Sequence, residues 1–174
     1  MTKRKVKRAY SAKEIAKRVT ALGQKIRDDA GDDEVFVLAI LKGSVVFAAD
    51  LLRAIDGSVG YGFIDVVRDI ADTEVAAAME IDFLNWFDIA GRHVYLLKDV
   101  VSTGVIESYL LTQLRQKNPA SIKLVALLDR PDLRTVELQA DFHAFKVADG
   151  SFVGYGLEFD GKYGNLPYIA KMVS

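Results

Sequence analysis

The segment Asp-Val-Val-Ser-Thr-Gly at residues 99–104 follows an apolar run and precedes a helical pattern. A strand that ends in an acid, a short Ser/Thr/Gly loop and a helix start place backbone N–H groups and the positive end of a helix dipole where an anion can bind. Ser102, Thr103 and Gly104 are therefore candidates for holding a phosphate. Because Ser and Thr are also common N-caps of helices that bind no ligand, this segment alone leaves both interpretations open.

Hydrophobic patterning predicts the elements that would position this segment. Ser11 and Glu14 form a capping box that predicts the start of a helix, and apolar residues then recur at helical spacing. Residues 35–41, Val-Phe-Val-Leu-Ala-Ile-Leu, form a continuous apolar run that is typical of a parallel strand buried on both faces. Two further helical patterns follow Gly43 and Gly104.

Short runs of strand-forming residues predict further strands at residues 59–67, 93–98, 122–128, 142–147 and 152–159. A weaker β pattern covers residues 79–84, after an acidic stretch that we expect to form a mobile loop. Strands that alternate with helices predict an α/β fold with a mainly parallel sheet flanked by helices. In such a sheet, ligands bind beyond the carboxyl ends of the strands, where three loops fall: Lys42-Gly43, residues 99–104 and residues 129–131.

The composition limits the classes of function. A chain of 174 residues, 51% of them hydrophobic, fits a single domain covering residues 1–174. The formal net charge of −1 gives no global basic field, so we expect neither nucleic acid nor a membrane as a partner. There is no cysteine, which excludes disulfides and thiolate metal sites, and we expect a cytoplasmic protein. Five of the first eight residues are basic, and we expect residues 1–9 to form a frayed terminus; an RNA-binding arm or a targeting segment is the alternative.

Four motifs occur in an informative order and spacing: VLAILKGSVVFAADLL, HVYLLKDVVSTG, ALLDRP and VGYGLEFDGKYGNLPYI. Together they resemble the hypoxanthine-guanine phosphoribosyltransferase family, from about Tyr10 onward. The resemblance implies a type I phosphoribosyltransferase fold with a small hood. It also implies purine salvage: a purine base and 5-phosphoribosyl 1-diphosphate give a nucleoside monophosphate and pyrophosphate, with Mg²⁺ bound to the diphosphate. The implied assembly is a homodimer or homotetramer.

The resemblance also implies a set of site residues. The phosphoribosyl group would contact Lys98, Asp99, Ser102, Thr103, Gly104, Val105 and Ile106. The pyrophosphate would contact Lys42 and Gly43, in a loop whose peptide geometry is often strained in the family. The purine would contact Arg130, Phe152 and Val153, and Glu158 would lie near the Mg²⁺ and the pyrophosphate.

Several signature positions depart from the family pattern. Lys98 replaces an acid that binds ribose hydroxyls, and Ser102 replaces the catalytic aspartate that acts in proton transfer to and from the purine. The other replacements are Ile106 for a threonine, Arg68-Asp69 for a Ser-Tyr pair in the lid, Ser151 for a stacking aromatic and Gly164 for an arginine that grips pyrophosphate. A general acid or base supplies about 10² to 10⁴ in rate, so we expect the standard activity to be weak or lost.

Three functions remain open from the sequence. The protein is a slow transferase, a noncatalytic nucleotide-binding or regulatory paralogue, or a structural partner of a true family enzyme. Lys98 adds positive charge beside the sugar-phosphate loop, which favours an anion or a nucleoside monophosphate over a metal-diphosphate substrate. Glu107, expected to be solvated, is a distant candidate for a replacement acid.

Overall fold

The computed structural model describes residues 5–65, 88–148 and 150–173. The lid residues Arg68 and Asp69, the acidic stretch and the β pattern at 79–84 therefore lie outside the described residues.

The centre of the fold is a five-stranded sheet in the order β3-β2-β4-β5-β6. Every neighbouring pair in it is parallel, which confirms the predicted α/β architecture. The strands are β2 (Val35–Leu41), β3 (Val59–Asp65), β4 (His93–Val101), β5 (Ser121–Asp129) and β6 (Phe142–Lys146). Both faces of β2 and β4 are buried, because their residues alternate between two hydrophobic cores on opposite sides of the sheet.

Helices cover both faces of this sheet. α1 (Ala12–Ala30) and α2 (Val45–Ala54) pack on one core, and α3 (Val105–Arg115) packs on the other. The predicted capping box starts α1: the Glu14 amide donates to Ser11 Oγ at 3.3 Å, and the Ser11 amide donates to Glu14 Oε2 at 2.8 Å. Within the described ranges, no helix has the length and apolar composition needed to cross a bilayer.

A small antiparallel sheet forms the hood. Its strands are β1 (Lys5–Tyr10), β7 (Phe152–Val153) and β8 (Ile169–Val173), in the order β1-β8-β7. The prediction of a frayed terminus is therefore wrong from Lys5 onward, because this segment pairs along β8 and Tyr10 stacks on Phe145 at a ring separation of 3.9 Å. The strand predicted at 152–159 is confined to β7.

Candidate active site

A cleft of about 390 Å³ opens at the carboxyl ends of β2, β3 and β4. It collects predicted site residues from three distant parts of the chain: Lys42, Gly43, Lys98, Asp99, Ile106 and Glu158. Asp65 and Gly156 also line it, although the sequence did not single them out. The cleft therefore lies where an α/β sheet is expected to bind its ligand.

The Lys42-Gly43 loop passes through a narrow space. A Cβ atom on Gly43 would lie 2.0 Å from Asp99 Oδ2, and one on Gly156 would lie 2.5 Å from the Gly43 carbonyl oxygen. Gly156 has a positive φ of 94°, which also favours glycine. The Leu41–Lys42 peptide bond, at the start of this loop, is cis. Two glycines thus allow the loop to lie directly against the Asp99 carboxylate.

Lys98 and Asp99 form an ion pair in the wall of the cleft. Lys98 Nζ lies 2.5 Å from Asp99 Oδ1, which also accepts a hydrogen bond from the Val100 amide at 2.8 Å. Lys98 is only 7% exposed, so its ammonium is largely removed from bulk solvent. The Lys98 ammonium therefore neutralises the neighbouring Asp99 carboxylate within the protein itself.

A second ion pair joins the loop to the opposite wall. Lys42 Nζ lies 2.8 Å from Glu158 Oε2, and the Lys42 side chain is 74% exposed. The hydrogen bond and the charge of Glu158 raise the pKa of Lys42 above its ordinary value. Lys42 consequently stays protonated, and the Glu158 carboxylate has a cation beside it.

The loop that contains Ser102 and Thr103 leads directly into α3. The N-cap of α3 is Gly104, in a left-handed conformation with φ 82°, and no side chain caps the helix. Ser102 and Thr103 are therefore not N-caps, and glycine at the N-cap offers the first-turn amides of α3 no capping side chain. Such amides, at the positive end of the helix dipole, suit an anionic ligand.

The carbonyl groups of the same loop are held by residues that follow β5. Arg134 Nη1 donates to the Ser102 carbonyl oxygen at 2.6 Å, and the Thr135 amide donates to that of Thr103 at 3.0 Å. The Arg134 guanidinium also pairs with Asp129, and both side chains are only 9% exposed. This buried ion pair keeps the loop carbonyls turned toward Arg134 and Thr135.

Comparison with known proteins identifies the family. The phosphoribosyl transferase domain model matches residues 6–160. The hypoxanthine-guanine phosphoribosyltransferase of Bacillus subtilis is 35% identical over 91% of this chain and 88% of its own length. That of Streptococcus pneumoniae is 34% identical over 90% of this chain and 87% of its own length. The chain belongs to the hypoxanthine-guanine phosphoribosyltransferase family.

Solved structures agree with this assignment. A hypoxanthine-guanine phosphoribosyltransferase from Bacillus anthracis superposes with a TM-score of 0.84 at 32% identity, covering 97% of this chain and 99% of that one. A hypoxanthine phosphoribosyltransferase from Trypanosoma cruzi, solved with the product IMP, superposes with a TM-score of 0.82 at 27% identity; the match covers 98% of this chain and 85% of that one. The five-stranded parallel sheet, the flanking helices and the small hood are the type I phosphoribosyltransferase fold.

The residues predicted to contact the purine in this family are less closely gathered. The Arg130 amide donates to the Val101 carbonyl oxygen at 2.9 Å, which places Arg130 beside the loop before α3. Val153 is fully buried, and Phe152 is partly buried against the core that includes residues of α1 and α2. None of the three is among the residues that line the 390 Å³ cleft, and their contact with a purine stays a prediction.

Four other predicted positions lie around the loop and the hood. Val105 is half exposed at the start of α3, whereas Ser151 is exposed and its carbonyl oxygen accepts the Met172 amide at 2.8 Å. Gly164 packs against Glu158. The expectation that Glu107 is solvated is wrong: it is 4% exposed, because it shares the buried face of α3 with three leucines.

Proposed function

We propose that this family member binds a purine nucleotide in the cleft and carries out purine salvage transfer at a much reduced rate. The observation that carries the proposal is the meeting of the Lys42-Gly43 loop, Asp99 and Glu158 in one cleft beside the uncapped start of α3. The sequence identity to the Bacillus subtilis enzyme supports the same ligand class.

Each part of the cleft has a proposed role. The amides from Thr103 to Ile106 hold the 5′-phosphate at the start of α3, and Asp99 accepts hydrogen bonds from the ribose hydroxyls. The Lys42-Gly43 loop lies at the pyrophosphate position. Arg130 donates to the 6-oxo group of the purine, and Phe152 and Val153 lie on the base side.

The reduced rate follows from missing contacts. Ser102 has no carboxylate for proton transfer, and Ile106 has no hydroxyl for the phosphate. The lid pair is Arg68-Asp69, and Ser151 and Gly164 lack the ring and the guanidinium of the family pattern. Each lost contact is worth about 1 to 4 kcal/mol of transition-state stabilisation, so their combined loss severely slows the standard reaction.

Mg²⁺, which the family resemblance implies, does not fit the described residues as a protein-bound ion. No group of three or more metal-ligating side chains occurs in the parts of the chain that the structure describes. Of the three acids that line the cleft, Asp99 and Glu158 are each paired with a lysine ammonium, which leaves only Asp65 without one among the described residues. A divalent cation at this site would therefore arrive with the diphosphate as part of the substrate.

A direct assay tests the proposed transfer. The purified protein and the Bacillus subtilis relative are incubated with labelled hypoxanthine or guanine and Mg²⁺·5-phosphoribosyl 1-diphosphate. We expect formation of the nucleoside monophosphate at least about 100-fold slower than by the relative. Turnover equal to that of the relative would contradict the proposed impairment.

Noncatalytic nucleotide binding is the second candidate, because the Lys98–Asp99 pair favours an anion over a metal complex. It predicts calorimetric binding of inosine 5′-monophosphate (IMP) with no measurable turnover. If neither binding nor turnover is found with any purine nucleotide, both candidates fail.

We further propose a single domain that forms a homodimer or homotetramer in the cytoplasm. The assembly follows from the family resemblance, and the compartment from the lack of cysteine. Light scattering after size-exclusion chromatography tests the assembly, and a monomeric mass would contradict it.

A further inference from the structure

The Lys98 ammonium has hydrogen-bond donors that Asp99 does not use. Its one recorded hydrogen bond within the described residues goes to Asp99 Oδ1. An ammonium carries three N–H donors, so two remain for a ligand, on a residue that is only 7% exposed. Because Lys98 also lines the cleft, a ligand bound there can accept hydrogen bonds from these donors.

The geometry fixes Asp99 in this pairing. Its Oδ1 accepts both Lys98 Nζ at 2.5 Å and the Val100 amide at 2.8 Å. Its Oδ2 lies against Gly43, only 2.0 Å from the position that a Cβ atom would take there. The carboxylate thus cannot rotate freely away from the ammonium, and the pair is organised before any ligand binds.

Two of the three acids that line the cleft are paired with a lysine. Lys98 neutralises Asp99, and Lys42 neutralises Glu158. Asp65 is the remaining acid among the described lining residues. A divalent cation coordinated by Asp99 would lie next to the Lys98 ammonium and be repelled by it. The Lys98 ammonium does not repel a phosphomonoester, because their charges are opposite in sign.

We propose that Lys98 takes the place of a divalent cation, so that the cleft binds the ribose 5-phosphate part of a nucleoside monophosphate without Mg²⁺. This inference rests on the proposed function, since it concerns the same cleft. Lys98 donates to a ribose hydroxyl oxygen while Asp99 accepts from the hydroxyl protons, and the amides at the start of α3 hold the phosphate. Lys98 is then the residue that selects a monophosphate over a metal-diphosphate.

Isothermal titration calorimetry tests whether IMP binds without Mg²⁺. The titration is run in buffer with excess EDTA and again in buffer with MgCl₂. For the unaltered protein we expect the same Kd in both buffers, within about twofold. Ribose 5-phosphate, which lacks the base, should also bind in EDTA. A Kd for IMP that rises about tenfold or more in EDTA would overturn the inference and leave the proposed nucleotide binding intact.

Variants sharpen the test. Lys98→Glu should weaken IMP binding in EDTA, and its affinity for IMP should rise at least about tenfold when Mg²⁺ is added. Lys98→Met should weaken IMP binding about equally in both buffers. Lys25→Met, on the exposed face of α1, is the matched control and should bind as the unaltered protein does. A Lys98→Met protein that is folded by circular dichroism and binds IMP unchanged in EDTA would also overturn the inference. No IMP binding by the unaltered protein in either buffer would instead refute the proposed function.

Discussion

Glu158 and Gly164 fit together so closely that the Glu158 Cγ lies 2.8 Å from the position of a Cβ atom on residue 164. The family resemblance implies an aspartate and an arginine at these two positions. The longer glutamate uses space that a side chain at residue 164 would fill, and its carboxylate thereby reaches Lys42. The glutamate at 158 and the lack of a side chain at 164 are therefore structurally coupled.

Gly164→Arg should destabilise the protein by about 1 to 3 kcal/mol, because the new side chain displaces Glu158 and breaks its pair with Lys42. The double variant Gly164→Arg with Glu158→Asp should lose less than the sum of the two single changes. Urea denaturation of all four proteins measures this coupling. Asn165→Arg, at the exposed neighbouring position, is the control, and strictly additive losses would refute the coupling.

Gly43→Ala should abolish the tight contact between the loop and Asp99, because the added methyl group cannot share the position of Asp99 Oδ2. We expect IMP affinity to fall at least about tenfold, as measured by calorimetry. Gly31→Ala is a useful control: its positive φ of 61° makes an added side chain strained, but no neighbouring atom lies within 4 Å of the added Cβ. That variant should lose stability without losing IMP affinity. Unchanged IMP affinity in Gly43→Ala would show that the contact does not shape the site.

Ser102→Asp should raise the rate of nucleotide formation by about 100-fold, because it adds a carboxylate at the position where the family resemblance implies proton transfer. Ser102→Asn has the same shape without the ionisable group and should stay near the original rate. Steady-state rates with hypoxanthine and 5-phosphoribosyl 1-diphosphate provide the measurement. Equal rates for the two variants would mean that the missing acid does not limit turnover.

The environment of Asp29 makes the stability of the fold depend on pH. Burial acts to raise its pKa, but hydrogen bonds from Lys123 and from Tyr95, at 2.7 Å, outweigh burial and hold the pKa below its usual value. Because the folded pKa is the lower one, this carboxylate stabilises the fold above the unfolded pKa of about 3.9, and the contribution is lost as the pH falls through the folded pKa.

Asp29→Asn should therefore cost about 1 to 3 kcal/mol at pH 7, and this difference from the unaltered protein should shrink below about pH 4. Urea denaturation across the pH range follows both proteins. A difference that stays constant down to acidic pH would contradict the assignment of the pKa shift to Asp29.

The elements that could be predicted from the sequence are those set by patterns among neighbouring residues. The capping box at Ser11, the apolar run of β2 and the pattern after Gly104 each depend on neighbouring residues, so α1, the parallel sheet and α3 could be predicted. β1 and β8 could not, because a basic segment with little apolar alternation becomes a strand only through pairing with the far end of the chain.

In the candidate site, too, local motifs could be recognised from the sequence but contacts between distant segments could not. The loops at Lys42-Gly43 and after Asp99 were found from motifs, and the fold brings them together. The hold of Arg134 on the Ser102 carbonyl and the packing of Gly156 against Gly43 were missed, because both contacts join distant segments. The charge of Glu107 suggested a solvated position, but its place on the buried face of α3 decided otherwise.

The most direct test of the central claim is a crystal structure of the protein grown with IMP in the presence of EDTA. We predict that the 5′-phosphate lies on the amides from Thr103 to Ile106 and that the ribose hydroxyls contact Lys98 and Asp99. Nucleotide density elsewhere on the protein, or a cleft that remains empty at saturating IMP, would contradict the claim that this cleft is the phosphoribosyl site.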